Sequence, residues 1–335
     1  MRPERDQLVE AAGRSIARGS KSFRFASQIF DLETRERSWL LYAWCRACDD
    51  ITDGQTLGHD AQTPDNPEER IAFIWAKTDA ALRGEHVGLV PFDALATVAA
   101  ETGIPANLPQ DHLAGFARDA VGWSPQTEAD LLSYCYQVAG AVGVMMAHVM
   151  GVPAGDRDTL DRASDLGIAF QLANIARDIV DDARVGRSYL PSEWLQAEGL
   201  AGSDISDPAH RPALARMTHR LAELAEAYRR SSKVGAARLP FRSRWAVLSA
   251  AGIYGEVAIR AVTLGQRAWD QRISISKAEK FALVIEAFGE ALMPAPKVNR
   301  QGLWTRPSER APAHPPGRQA EPSAPRRAGR KGNQS

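Results

Sequence analysis

Asp49, Asp50 and Asp53 stand at the end of an apolar run that begins near Trp39. Asp178, Asp181 and Asp182 stand at the end of another that begins near Leu166. In each run two carboxylates lie four residues apart, Asp49 with Asp53 and Asp178 with Asp182, which puts them on one face of a helix. Counting back from Asp53 at helical spacing meets Arg46 and Tyr42; counting back from Asp182 meets Asn174 and Gln171, with Arg177 beside the stripe. Both runs are otherwise apolar around most of their circumference. Helices of that kind are buried, so their polar stripes face an internal cavity. Carboxylates there are costly to desolvate unless a cation sits among them. Magnesium holding a phosphate-bearing substrate meets that need, and Arg46, Arg177 and Arg187 match phosphate in geometry and charge. A departing diphosphate leaves a carbocation, so the remaining wall is expected to be apolar and aromatic, with Phe23, Tyr42, Tyr134, Phe170 and Tyr254 in segments suited to line it. The competing reading is a pair of solvated acidic faces, the ordinary state of a lone acidic pair. The apolar surroundings and the arginine in or beside each stripe weigh against it.

The elements that must position these groups are helical. Apolar residues recur at three- and four-residue spacing over Glu33–Thr52, Pro67–Arg83, Thr127–Met150, Gly155–Ala183, Ala209–Val234 and Leu239–Asp270. No strand-type alternation is apparent. Breaks fall at Gly54–Pro67, Gly103–Pro109 and Gly199–Pro212, where Gly, Pro, Asn and Asp gather. The expected fold class is all-α. The most apolar stretch, Val138–Val152, is shorter than the ~20 residues that span a bilayer and reads as a buried helix. Met1–Glu10 is mostly polar and does not resemble a signal peptide.

The 335 residues carry 41 basic and 41 acidic side chains, unevenly spread. From Pro296 onward nine Lys or Arg face two acids, leaving residues 1–295 acidic by the same margin. An acidic globule with a basic tail fits a metal-dependent enzyme better than a nucleic-acid binder. Seven of the last forty residues are proline. Such a segment buries too little apolar area to offset its ordering entropy, so the expectation is a catalytic domain over 1–295 and a disordered tail over 296–335. Cys45, Cys48 and Cys135 are too few and odd in number for a disulfide framework. Cys45-x-x-Cys48 lies within a helical apolar pattern and reads as core packing rather than half a zinc site. His148, in an apolar run, reads as a core histidine. Ala139, Gly140, Ala141 and Gly143 suit either space for a long alkyl chain or close helix packing.

Four runs resemble the squalene/phytoene synthase family: Ser20-Lys21-Ser22-Phe23, Tyr42 through Asp53, Tyr134 through Gly140, and Gln171 through Asp182 with the following Gly186-Arg187-Ser188-Tyr189-Leu190-Pro191. Their order and spacing fit over roughly residues 15–290, and the two aspartate runs are the specific ones. Gly19 before the first run, and Gly54 after Asp53, depart from the usual context without removing a metal ligand. The resemblance implies an isoprenoid-synthase helical fold with a central cavity. It implies head-to-head condensation of two geranylgeranyl diphosphates through a cyclopropyl diphosphate to phytoene, the first committed step of carotenoid formation. Carried over, Asp49, Asp53, Asp178 and Asp182, with Asn174, hold magnesium, for which manganese is a possible substitute. Arg46, Arg177, Arg187 and Arg272 hold diphosphate. Ser20, Ser22 and Phe23 form a substrate flap, and Tyr42, Tyr134, Gln171, Asn174, Tyr189 and Tyr254 shape the inner site.

Two alternatives stand beside this reading. Squalene or dehydrosqualene synthesis would use farnesyl diphosphate, and squalene synthesis NADPH, which is not expected here. A non-catalytic assembly factor of the same fold should have lost the aspartates that this chain retains. A cytoplasmic enzyme in peripheral contact with the membrane is expected, with carotenoid-pathway enzymes as possible partners.

Overall fold

The computed structural model describes residues 4–19, 26–53 and 66–307, and every α-, 3-10 or π-segment in it is helical, with no strand among these residues. In chain order the helices are α1 (Arg5–Gly19), α2 (Leu32–Asp53), α3 (Pro67–Leu82), α4 (Val90–Thr102), α5 (Asn107–Ala120), α6 (Glu128–Cys135), α7 (Ala141–Val149), α8 (Arg157–Arg184), α9 (Ser192–Ala197), α10 (Arg211–Ala236), α11 (Phe241–Leu264) and α12 (Lys277–Leu292). The all-α expectation holds. The long apolar helices fall where the periodicity places them. Helices α1, α4, α5, α9 and α12 were not among the predicted segments.

Local chemistry sets the ends. Pro67 opens α3 at a position where a missing N–H costs nothing. Thr127 and Asp130 form a capping box on α6, and Ser276 and Glu279 form another on α12. The Asp156 carboxylate accepts the Thr159 N–H at 3.1 Å to start α8.

Two large apolar cores result. One joins α6, α8, α10 and α11 around Leu172, Leu214, Leu221 and Tyr228. The other joins α1 to α5 with α7 around Trp44, Ile74, Leu95 and Leu113. The first aspartate helix, α2, belongs to the second core; the second aspartate helix, α8, belongs chiefly to the first. The two carboxylate stripes therefore meet at the seam.

The segment read as one helix over Thr127–Met150 is interrupted by a π-helical turn, Tyr136–Gly140. Such turns insert a residue and re-aim the side chains around it. Two side chains of α5 hold it: Tyr136 Oη donates to Asp111 at 2.6 Å, and His112 Nδ1 lies 3.2 Å from the Gln137 carbonyl. The glycines nearby serve close packing. A Cβ on Gly143 would stand 2.3 Å from the Ala163 carbonyl oxygen, and one on Gly167 would stand 2.2 Å from that of Ala139. Helices α7 and α8 thus meet backbone to backbone.

One boundary is corrected. Residues 296–307, assigned by composition to the disordered tail, are held on the first core. Arg300 and Arg306 pair with Asp165 and Asp161 of α8, the Trp304 N–H donates to Tyr228 Oη at 3.0 Å, and the Trp304 ring rests on Tyr136. Composition failed because this short stretch is fixed by charge pairs and one indole rather than by a periodic apolar face. Residues 308–335 lie outside the described residues.

Candidate active site

A cavity of about 560 Å³ opens at the seam. Helix α2 contributes Tyr42, Cys45, Arg46 and Asp49; α5 contributes His112, Phe116 and Asp119. Opposite them α8 supplies Gln171, Asn174, Arg177, Asp178 and Asp182. Tyr134, Val138, Val142, Arg187, Tyr189 and Arg272 complete the wall. The cavity thus gathers most of the residues singled out from the sequence, from helices more than a hundred positions apart.

Asp49 and Asp178 are each paired with an arginine of their own helix. Arg46 Nη1 lies 2.5 Å from Asp49 Oδ2 and 3.5 Å from Asp50 Oδ1. Arg177 Nε donates to Asp178 Oδ1 at 2.8 Å, and its Nη2 contacts the other oxygen. Arg272, at 70% side-chain exposure, stands at the mouth with Nη2 3.8 Å from Asp178 Oδ2. Burial and then the like charge of Asp178 push the Asp182 carboxyl up to about 7. A half-buried carboxyl raised by burial and by a neighbouring like charge suits a cation beside it. Among the described residues no three His, Cys, Asp or Glu converge into a complete metal cage. Magnesium commonly takes only one or two carboxylates and fills the rest of its shell with water and phosphate. The donor set therefore fits magnesium carried with diphosphate better than a resident structural metal. The Asp53 side chain, and Ser20, Ser22 and Phe23, lie outside the described residues and side chains.

The sequence reading missed Asp119. Its carboxylate accepts Tyr134 Oη at 3.0 and 2.9 Å and Tyr189 Oη at 3.0 Å. The two tyrosine rings stack with centroids 4.9 Å apart. Burial first, and Asp119 next, push both phenols well above their usual range, so both remain protonated donors. No spacing rule marks Asp119, because its partners lie 15 and 70 residues away. His112 was also missed: it is buried between Trp44 and Phe116, and its Nε2 has no hydrogen-bond partner among the described residues.

Tyr254 departs from expectation. Its ring does not line this cavity but a second one, where it stacks on Phe170. Burial pushes the Cys45 thiol up to about 12 and that of Cys48 well above its usual range, which leaves both as unreactive packing groups. His148 is buried, as read from the sequence.

A sequence model of squalene/phytoene synthases matches residues 16–279. The chain is 46% identical over 305 residues to a 15-cis-phytoene synthase of Pantoea ananas, covering 90% of this chain and 98% of the relative. It is 35% identical to a phytoene synthase of Cereibacter sphaeroides, covering 85% of this chain and 81% of that one. Among solved structures, a dehydrosqualene synthase superposes with a TM-score of 0.75 at 26% identity, over 85% of this chain and 96% of that one. A squalene synthase from Alicyclobacillus acidocaldarius superposes with a TM-score of 0.69 at 20% identity, over 79% of this chain and 95% of that one, which supports the fold alone.

Proposed function

Because the chain belongs to the squalene/phytoene synthase family, we propose that it joins two geranylgeranyl diphosphates head to head and releases phytoene. It is an enzyme, a prenyltransferase acting on a prenyl diphosphate. The observation that carries the finer reading is the meeting of two arginine-paired carboxylate stripes, Arg46–Asp49 and Arg177–Asp178, across one cavity.

Asp49, Asp178 and Asp182, with Asn174 and Asp53, would hold magnesium. When bound, the metal neutralises diphosphate oxygens and makes the group a better leaving group. Arg46, Arg177, Arg187 and Arg272 offer guanidinium groups to the same diphosphate, releasing their present aspartate partners as they do so. Rupture of the C1–O bond sends the electron pair to diphosphate and leaves an allylic cation. The double bond of the second substrate attacks it, and loss of a proton closes the cyclopropane. The cyclopropyl diphosphate ionises in turn, rearranges, and loses a second proton to form the central double bond. Phe116, Val138 and Val142 present no nucleophile to the cation and exclude water. Tyr134 and Tyr189, fixed by Asp119, set a rigid aromatic wall near the mouth, where ring faces favour positive charge.

NADPH has no part in this sequence, since the last step is proton loss. The enzyme works in the cytoplasm in peripheral contact with the membrane that receives its product, next to the enzymes that consume it. The test is purified full-length protein with magnesium and either geranylgeranyl or farnesyl diphosphate, with and without NADPH, products being identified by mass. Phytoene from geranylgeranyl diphosphate alone is expected. Turnover of farnesyl diphosphate only, or a hydrocarbon formed only with NADPH, would assign the squalene-type reaction instead.

A further inference from the structure

Helix α12 carries its apolar residues inside out. The side turned to the protein holds small groups: Val284, Ala287 and Ala291 are its buried residues. The side turned to solvent holds Phe281, Ile285, Phe288 and Leu292, which are 41% to 65% exposed. At about 100° per residue these four fall within about 60° of arc and make a stripe about 17 Å long. Met293, 61% exposed, extends it. Phe241, at the start of α11, joins the stripe: its ring centroid lies 5.6 Å from that of Phe288, which also packs on Trp245 at 5.1 Å. Three contacts fix α12 in this orientation. Trp245 Nε1 donates to the Val284 carbonyl at 2.8 Å, Lys233 holds Glu290 at 2.7 Å, and Arg244 donates to the Met293 carbonyl at 2.6 Å. A surface helix ordinarily turns its large apolar side chains to the core and its charges outward. A run of large apolar side chains left outside marks a contact surface.

The charges around the stripe point to the partner. Residues 1–240 carry 25 Lys or Arg against 34 acids, whereas residues 241–295, which include α11 and α12, carry seven against five. Lys277 and Lys280 stand at the start of α12, and Arg242 and Arg244 stand at the far end of the stripe, next to Phe241. An acidic globule thus presents its apolar stripe from a region of net positive charge. Between Phe281 and Met293 the only charged residues are Glu286 and Glu290, and Glu290 is paired with Lys233. No hydroxyl or amide side chain lies in that run to set the register of a protein partner. A fluid apolar layer beneath anionic headgroups needs no register, and it matches both the stripe and its basic ends. The prenyl chains that the proposed reaction takes up, and the hydrocarbon it releases, dissolve in the same layer. We propose that the stripe of α12, with Phe241 and Met293, is the surface by which the protein seats itself on an anionic lipid bilayer. Helix α12 then lies parallel to the membrane plane, with its aromatic and branched side chains below the headgroups.

The inference rests on the membrane contact proposed above. Its readout is binding without substrate, so its failure is distinct from a failure of the phytoene reading, which the products formed in detergent decide. Full-length protein is sedimented with vesicles of phosphatidylcholine and phosphatidylglycerol, and with vesicles of phosphatidylcholine alone. The unaltered protein is expected to bind the anionic vesicles about fivefold or more tightly than the neutral ones. The triple variant Phe281→Ser, Ile285→Ser, Leu292→Ser changes exposed side chains only. It is expected to bind the anionic vesicles about tenfold or more weakly than the unaltered protein, while its helical circular dichroism is unchanged and its turnover in detergent stays within about twofold. Binding of the triple variant within about twofold of the unaltered protein would overturn the proposal, as would an unaltered protein that binds neither kind of vesicle or both equally. A dimer of the unaltered protein that vesicles do not dissociate, and that the triple variant cannot form, would give the stripe to a second copy and overturn it as well.

Discussion

The guanidinium of Arg300 closes on the carboxylate of Asp165 with two hydrogen bonds of 2.7 Å, and Asp165 is wholly buried in α8. Ser231 Oγ donates to the same carboxylate at 2.6 Å. A segment near the end of the described chain thereby supplies the only cation paired, among the described ion pairs, with a fully buried carboxylate behind the second aspartate stripe.

Arg300→Ala should leave that carboxylate buried and unpaired, at a cost of about 3 kcal/mol. In an Asp165→Asn background the same change should cost much less. Urea midpoints for the four proteins give the coupling, and strict additivity would deny the pair a structural role. By the same argument a chain ending at Ala295 should be far less stable than one ending at Pro307, whose unfolding midpoint should match the full chain.

Asp178→Asn and Asp49→Asn should each lower turnover by about 100-fold or more while helical circular dichroism stays unchanged. Chelator should abolish activity and added magnesium restore it. Near-normal turnover in either purified variant would remove those aspartates from the site.

Asp119→Ala should lower kcat/KM by about tenfold, the scale of a lost hydrogen bond to a charged acceptor. Tyr134→Phe should cost less, because Tyr189 still reaches the carboxylate. If Asp119 acts by fixing the tyrosines, combining Asp119→Ala with Tyr134→Phe should add little to Asp119→Ala alone. Fully additive losses would show separate roles.

Burial holds the His112 imidazole down at about 4, opposed only by its contact with the Gln137 carbonyl. Unfolded, it titrates near the ordinary ~6.5. Between those values the unfolded chain binds a proton that the folded chain does not. The contribution to stability is therefore complete above the unfolded value and is lost as pH falls toward the folded one, by at most about 3 kcal/mol. Urea midpoints from pH 7.5 to 5 should fall more steeply for the unaltered protein than for His112→Gln. Equal slopes would place the acid lability in other groups.

The carboxylate stripes of α2 and α8 were legible because they are local: a four-residue spacing within an apolar helix fixes which side chains share a face, whatever packs around it. The same locality gave the all-α class and the buried reading of Cys48 and His148. What the sequence could not supply were relations between distant residues whose own segments look ordinary. Asp119 gains meaning only when α5 brings it under Tyr134 and Tyr189. Tyr254 turns from the carboxylate-lined cavity to the second one because α11 stacks it on Phe170. Gly143 and Gly167 are packing residues because two backbones approach too closely for any Cβ. Residues 296–307 look disordered by composition because charge pairs and a single indole leave no periodic signature. A helix face is written in consecutive residues, whereas a wall shared by three helices is decided by how the whole chain packs, and that is where the two cavities and the tyrosine clamp arise.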